Sequence, residues 1–156
     1  MNFLEKDLEQ IIYETEPELL WKRGLPIEGK LLRQKKIGNY GVADLIEIER
    51  ININRVFSMY PKLIITIIEL KKDNIDINAF MQAVNYANGI KRYLHSRDFY
   101  KFTLKIKLIG KNIDTFDSFC FLPNLFKDIT FYTYDMDIDG LIFKEEYGYH
   151  LNGEGF

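Results

Sequence analysis

The stretch that most constrains the fold is residues 62–70 (KLIITIIEL), an almost continuously apolar run. A strand that lacks polar alternation is typical of the centre of a sheet that is covered on both faces. The triplet Glu69-Leu70-Lys71 ends this run and brings two charged side chains to the end of a buried strand. Ionised groups are unfavourable there unless they are paired or bound to a metal ion. We therefore predict a central strand whose C-terminal end contributes charged residues to a functional site.

The rest of the chain predicts further strands and two helices around this run. Apolar residues at helical spacing predict an amphipathic helix at the start of the chain, and residues 77–95 give the clearest helix, with small residues along one stripe. No linker or internal repeat is visible, so residues 1–156 are expected to form one domain. We predict an α/β fold with a mixed sheet, in the order α-β-β-β-α-β with extra C-terminal strands. The further strands are expected over residues 31–37, 42–51, 102–110, 129–136 and 141–147, and a short helical or irregular piece around 116–126.

Composition narrows the possible classes of protein. The single cysteine, Cys120, excludes a disulfide framework or a cysteine-based zinc site, and no apolar run is as long as a membrane span, so we expect a cytoplasmic protein. The net charge of −2 argues against indiscriminate coating of nucleic acid. However, residues 1–112 carry 19 Lys and Arg against 14 Asp and Glu, whereas the remainder carries 2 against 9. Either the basic part binds a polyanion on one face, or the acidic part keeps the protein in solution.

Strand periodicity predicts that carboxylates of two neighbouring strands meet. Asp44 lies near the start of the second strand, and Glu69 lies near the end of the third. A short connection favours antiparallel pairing, which would bring these two side chains to the same end of the sheet, with Lys71 beyond them. Carboxylates suit hard cations such as Mg²⁺, which fills the rest of its shell with water and phosphate oxygens. This pattern points to phosphodiester hydrolysis.

The ordered set of motifs resembles the PD-(D/E)xK nuclease superfamily. Asp44 matches the first carboxylate of that pattern, Glu69 and Lys71 match the D/E-x-K pair, and Gln82 with Tyr86 looks like the Q-x-x-x-Y element of the RecB-like branch. The opening FLEKDLEQII is similar to the first helix of Holliday-junction resolvases and of mismatch endonuclease C-terminal domains. One departure is that Ala43 stands where the family has the proline that names the motif.

The resemblance implies a restriction-endonuclease-like core and a DNA endonuclease that depends on Mg²⁺ or Mn²⁺. By this resemblance Asp44, Glu69 and the Leu70 carbonyl would hold the metal, together with a helix carboxylate that is Glu5 or, one turn later, Glu9. Lys71 would act on the attacking water or the transition state, and Gln82 would position it. The substrate class (single-stranded, flapped, branched or RNA) stays open, and related resolvases suggest a homodimer.

Several residues have a second interpretation. Arg33, Lys35, Lys36 and Lys72 are candidate nucleic-acid contacts. The first three flank the first hairpin, where charges also protect an exposed edge strand from aggregation, and Lys72 is alternatively a surface residue rather than a second catalytic lysine. Helical spacing predicts that Gln82, Tyr86 and Gly89 lie on the helix face opposite the alanine stripe. Glu47 and Glu49 are expected in solvent, and Trp21 and Cys120 in the core. The alternative function is a catalytically silent nuclease-fold module for DNA binding, assembly or inhibition.

Overall fold

The computed structural model describes residues 3–52, 61–114 and 128–146. Two helices open the chain, α1 (Glu5–Glu14) and α2 (Pro17–Lys22), followed by strands β1 (Lys30–Lys36), β2 (Val42–Asn52), β3 (Pro61–Leu70) and the short β4 (Asn74–Ile75). The long helix α3 (Ile77–Ser96) leads into β5 (Phe102–Gly110) and the short β6 (Asn112–Ile113). The strands β7 (Ile129–Asp137) and β8 (Gly140–Glu146) complete the domain. Within the described residues, no helix is both long and apolar enough to cross a membrane.

Six strands form one mixed sheet in the order β1-β2-β3-β5-β7-β8. The pairs β1–β2, β2–β3 and β7–β8 are antiparallel, whereas β3–β5 and β5–β7 are parallel. Parallel neighbours need a crossover connection, which α3 supplies between β3 and β5. The predicted α/β class with a mixed sheet is therefore confirmed. The strands β4 and β6 form a separate two-stranded sheet that the sequence did not predict.

The sheet is buried on both faces at its centre, as the apolar run of β3 predicts. Ile65 and Ile67 point to the core beneath α3, and Ile68 and Leu70 point to the core beneath α1 and α2. The helix α3 lies close to the sheet because Ala79, Ala83 and Ala87 occupy its buried stripe. Its start is fixed by Asp76, whose Oδ1 accepts a hydrogen bond of 3.0 Å from the backbone N–H of Ala79.

Three sequence expectations about burial were wrong. Glu47 is only 6% exposed, because its Oε2 accepts hydrogen bonds from the backbone N–H groups of Glu28 and Gly29, although Glu49 is half-buried. Trp21 is exposed, and its indole N–H donates to the Ile27 carbonyl at 3.1 Å. Tyr86 and Gly89 belong to the buried side of α3, since the helix is covered by the β1–β2 hairpin as well as by the sheet. Cys120 and the piece around 116–126 lie outside the described residues.

Candidate active site

The register of β2 and β3 brings the two predicted carboxylates together. Leu45 lies opposite Ile68, so Asp44, one residue earlier, and Glu69, one residue later, are cross-strand neighbours on the same face. Asp44 Oδ2 accepts a hydrogen bond of 3.0 Å from the backbone N–H of Leu70. The antiparallel pairing expected from the short connection is therefore correct, and it places both side chains on the sheet face that carries α3.

Glu69 combines deep burial with a side-chain oxygen that has no hydrogen-bond partner. It is only 4% exposed, and its Oε2 is buried without a hydrogen-bond partner. Its Oε1 lies 3.8 Å from Lys71 Nζ, which is a long and weak ion pair. Burial, followed by repulsion from Asp44, raises the pKa of Glu69 from 4.5 to about 8, despite the opposing effect of Lys71. A buried acceptor without a partner is unfavourable, so this carboxyl needs a proton or a cation.

The pKa of Asp44 is also raised, and burial is again the main cause. Burial raises its pKa, the hydrogen bond from Leu70 lowers it, and the negative charges of Glu9 and Glu5 raise it further. Lys71 lowers it by a smaller effect. Because several acids and only one lysine act on Asp44 and Glu69, the pair has an excess of negative charge. An added positive charge would therefore be stabilised at this point.

Lys71 extends from the end of β3 into an open cleft of about 660 Å³ beside the first turns of α3. Its Nζ donates a hydrogen bond of 3.2 Å to Gln82 Oε1, which holds the ammonium group between the helix and Glu69. Asn85 lines the same cleft, one turn after Gln82. Sequence reasoning overlooked Asp76, which lines the cleft as well as capping α3, although its position before the helix is a recognisable N-cap signal.

Tyr86 lies deeper than Gln82, beneath the β1–β2 turn. A Cβ built on Gly41, whose φ is +122°, would lie 3.0 Å from Tyr86 Cε1, so the glycine allows the turn to approach the ring. Burial raises the pKa of Tyr86, and the charges of Glu69 and Asp44 raise it further. The phenol therefore keeps its proton near the two carboxylates and is able to act as a hydrogen-bond donor.

The two candidate helix carboxylates differ in their surroundings. Glu9 is buried, and its oxygens accept hydrogen bonds from Arg33 Nε at 2.7 Å and from Gln34 Nε2 at 2.5 Å. Glu5 is exposed and accepts a single hydrogen bond of 3.3 Å from the backbone N–H of Lys72. Both carboxylates raise the pKa of Asp44, but only Glu5 also acts on Glu69. Of the two helix carboxylates, Glu5 is therefore the one whose charge acts on both Asp44 and Glu69.

The four predicted nucleic-acid contacts do not form one patch. Lys35 and Lys36 line a groove between the β1–β2 hairpin and α3. Arg33 is held by Glu9 and also lies over the ring of Tyr13, with Cζ 5.3 Å from the centroid. Lys72 lies beside Tyr134, whose hydroxyl donates to the Lys72 carbonyl at 2.5 Å. Consequently, only the hairpin lysines combine to form a basic surface.

The carboxylates of Asp44 and Glu69 are the candidate ligands of a metal site. In the described parts of the chain, no group of three or more His, Cys, Asp and Glu side chains is arranged to hold a metal ion. The geometry is instead that of a carboxylate pair, which matches the one or two carboxylates that Mg²⁺ usually takes from a protein. The unpartnered Glu69 Oε2 fits such a cation.

Comparison of the chain with protein-family models, with curated proteins and with solved structures finds no match.

Proposed function

We propose that this domain hydrolyses phosphodiester bonds of DNA in a reaction that depends on Mg²⁺ or Mn²⁺, as a nuclease of the PD-(D/E)xK type. The observation that carries the proposal is the buried, unpartnered Glu69 Oε2 beside Asp44, at the end of the central strand. A buried carboxyl without a hydrogen-bond partner lowers the stability of the folded protein, so folding by itself gives no reason for it. A role in binding a cation gives a physical reason for it.

Asp44 and Glu69 would hold the cation, with the Leu70 carbonyl as a further ligand, and the negative charge of Glu5 would add to its stabilisation. When bound, the cation supplies Lewis acidity, which lowers the pKa of a bound water and neutralises charge on the phosphate. Because Glu69 has a pKa of about 8, it must lose a proton before it acts as a ligand. Binding is therefore expected to release a proton and to become tighter as the pH rises towards 8.

Lys71 is the residue that would act on the phosphate. Gln82 Oε1 accepts a hydrogen bond from its Nζ, so the ammonium group is held in the cleft. There it would orient the attacking water or stabilise the added negative charge of the transition state. The water oxygen gives up one proton as it forms a new bond to phosphorus, the ester P–O bond breaks, and the leaving oxygen takes up one proton.

The experiment that tests this function is incubation with plasmid DNA, single-stranded DNA and RNA, each with Mn²⁺ and with chelator. We expect Mn²⁺-dependent cleavage by the parent, and its loss in Asp44→Asn and Glu69→Gln. Glu18→Gln is the matched control, because Glu18 is exposed on α2. If the parent cleaves none of these substrates with Mn²⁺, the nuclease is refuted, and a Mn²⁺-dependent rise in melting temperature would then indicate a cation site without cleavage.

A further inference from the structure

A second surface lies between the β1–β2 hairpin and the C-terminal half of α3. This groove, which we call the hairpin groove, has a volume of about 600 Å³. Its walls are mainly apolar and aromatic, formed by Ile37, Tyr40, Ile90 and Tyr93, and its rim carries Lys35, Lys36 and Arg92. Apolar walls combined with a cationic rim match a ligand that has flat apolar groups on an anionic backbone.

We propose that the hairpin groove binds unpaired nucleotides, so that the substrate of the neighbouring active site is single-stranded or flapped nucleic acid. The inference rests on the proposed function insofar as it concerns cleavage. Tyr93 is 58% exposed and lines the groove, so its ring is accessible to a ligand there. An exposed aromatic ring offers a stacking surface that any base can use, but a base inside a duplex is already stacked on its neighbours.

The ring of Tyr93 is supported from its own helix. Arg97, one turn later, places its Cζ 5.3 Å from the ring centroid in a cation–π contact. This contact restrains the ring and adds another positive charge near the groove. The rim lysines and Arg92 are themselves exposed, and no acidic residue is among the described residues that line the groove. The charge is therefore complementary to a phosphate backbone.

The hairpin groove is connected to the active-site cleft by α3 and the hairpin turn. Asn85 lines the cleft, and its Nδ2 donates a hydrogen bond of 3.1 Å to the carbonyl of Tyr40, which lines the groove. Gly89 allows the close contact, since a Cβ there would lie 2.7 Å from Ile37 Cγ2 and from Tyr40 Cδ2. The hairpin and helix are thus packed together between the two surfaces.

The distance between the active-site cleft and the hairpin groove matches the length of a short single-stranded nucleic acid. Gln82 lines the cleft and Tyr93 lines the groove. Both belong to α3, so the eleven residues from one to the other span roughly 16 Å along the helix axis at 1.5 Å per residue. This length corresponds to about five nucleotides at 3.4 Å each, and to fewer if the strand is extended. A strand that stacks on Tyr93 is therefore able to present a phosphate a few nucleotides away to Lys71.

The test measures binding separately from cleavage. Labelled single-stranded and duplex DNA of equal length are titrated with the protein in chelator, and fluorescence anisotropy gives Kd. We expect tighter binding of the single strand by the parent and a loss of about 5- to 150-fold in Tyr93→Ala, the range for one stacked base. Tyr100→Ala is the matched control, because Tyr100 is 63% exposed but contacts His95 outside the groove. Circular dichroism checks that each variant folds.

Two further measurements locate the ligand. A fluorescent adenine analogue in the strand should change emission on binding to the parent but not to Tyr93→Ala. Lys36→Ala should reduce the slope of log Kd against log salt by about 0.7, the value for one phosphate contact on a single strand. Equal affinity of the parent and Tyr93→Ala, equal losses in the two tyrosine variants, or a preference for duplex would overturn the proposal.

The outcomes separate this proposal from the proposed function. If Mn²⁺-dependent cleavage occurs but Tyr93→Ala neither weakens single-strand binding nor lowers the preference for flapped over duplex DNA, the groove assignment fails and the nuclease stands. If Tyr93-dependent binding occurs without cleavage under any condition, the nuclease fails and the groove stands as a binding site. Binding only of an acidic peptide, without any nucleic acid, overturns the groove assignment in favour of a protein partner.

Discussion

The burial of Glu69 predicts how the stability of the protein depends on pH. Its folded-state pKa of about 8 lies above the ordinary value of 4.5, so the folded protein keeps a proton that the unfolded chain has released between these two values. The free energy of unfolding should therefore fall as the pH rises from about 4.5 to about 8. Asp44, whose pKa is also raised, adds a smaller effect of the same sign. Replacing Glu69 with neutral glutamine should remove the larger part of this pH dependence.

The expected magnitude follows from the two pKa values. One pKa unit corresponds to about 1.36 kcal/mol, so the full difference between 4.5 and about 8 sets an upper limit of roughly 5 kcal/mol at high pH. At pH 7 the destabilisation by Glu69 amounts to roughly 3 kcal/mol on the same scale. Glu69→Gln should therefore match the parent near pH 4.5 and exceed its stability increasingly towards pH 9.

The assay is urea unfolding of the parent, Glu69→Gln and the control Glu18→Gln, followed in chelator at several pH values between 4.5 and 9. Glu18→Gln removes a carboxylate from an exposed position and should keep the pH dependence of the parent. If Glu69→Gln and the parent lose stability in parallel as the pH rises, Glu69 does not carry a raised pKa, and the account of the site is refuted.

Addition of Mn²⁺ extends this test to the cation. A ligand that binds only the folded state stabilises it by RT ln(1 + [L]/Kd), about 2.7 kcal/mol at a hundredfold excess over Kd. The parent should gain this stability at pH 8, where Glu69 is about half ionised, and much less at pH 5.5, where the proton competes. Glu69→Gln should gain little at either pH. An equal gain in both proteins would place the cation elsewhere.

Two further predictions concern neighbouring residues. Lys71→Ala should fold and bind Mn²⁺ but cleave about 10²–10³-fold more slowly, the scale for loss of one electrostatic stabiliser, whereas Lys72→Ala should change the cleavage rate little in the same single-turnover assay. Gly41→Ala should lower the free energy of unfolding by roughly 1–3 kcal/mol, because φ is +122° and the new Cβ would contact Tyr86. Gly38→Ala, which meets no atom within 4 Å, should lower it less in parallel urea titrations.

The sequence by itself determined the order of the longer elements and the end of the central strand. Apolar continuity in β3 and helical periodicity in α3 are local properties, and the structure agrees with both. A period of two in the strands also predicted which residues of β2 and β3 share a face. Because the connection is short, this was enough to bring Asp44 and Glu69 together. The nuclease function and the cation remain predictions.

Only the tertiary structure decided how strongly each residue is buried and with which distant residue it is bonded. Glu47 is expected in solvent from its strand face, but the segment before β1 covers it and supplies two N–H donors. Likewise, helical periodicity could not place Tyr86, since its burial depends on the approach of the β1–β2 turn at Gly41.

The same limit applies to the charges of the site. The pKa of Glu69 is raised by its burial and by the charge of Asp44, a residue twenty-five positions earlier in the chain. Arg33 looked available for phosphate in the sequence, yet Glu9 of α1 binds it. Spacing along the chain determines which residues can share a face, whereas solvation and pairing depend on contacts between elements that only the folded chain brings together.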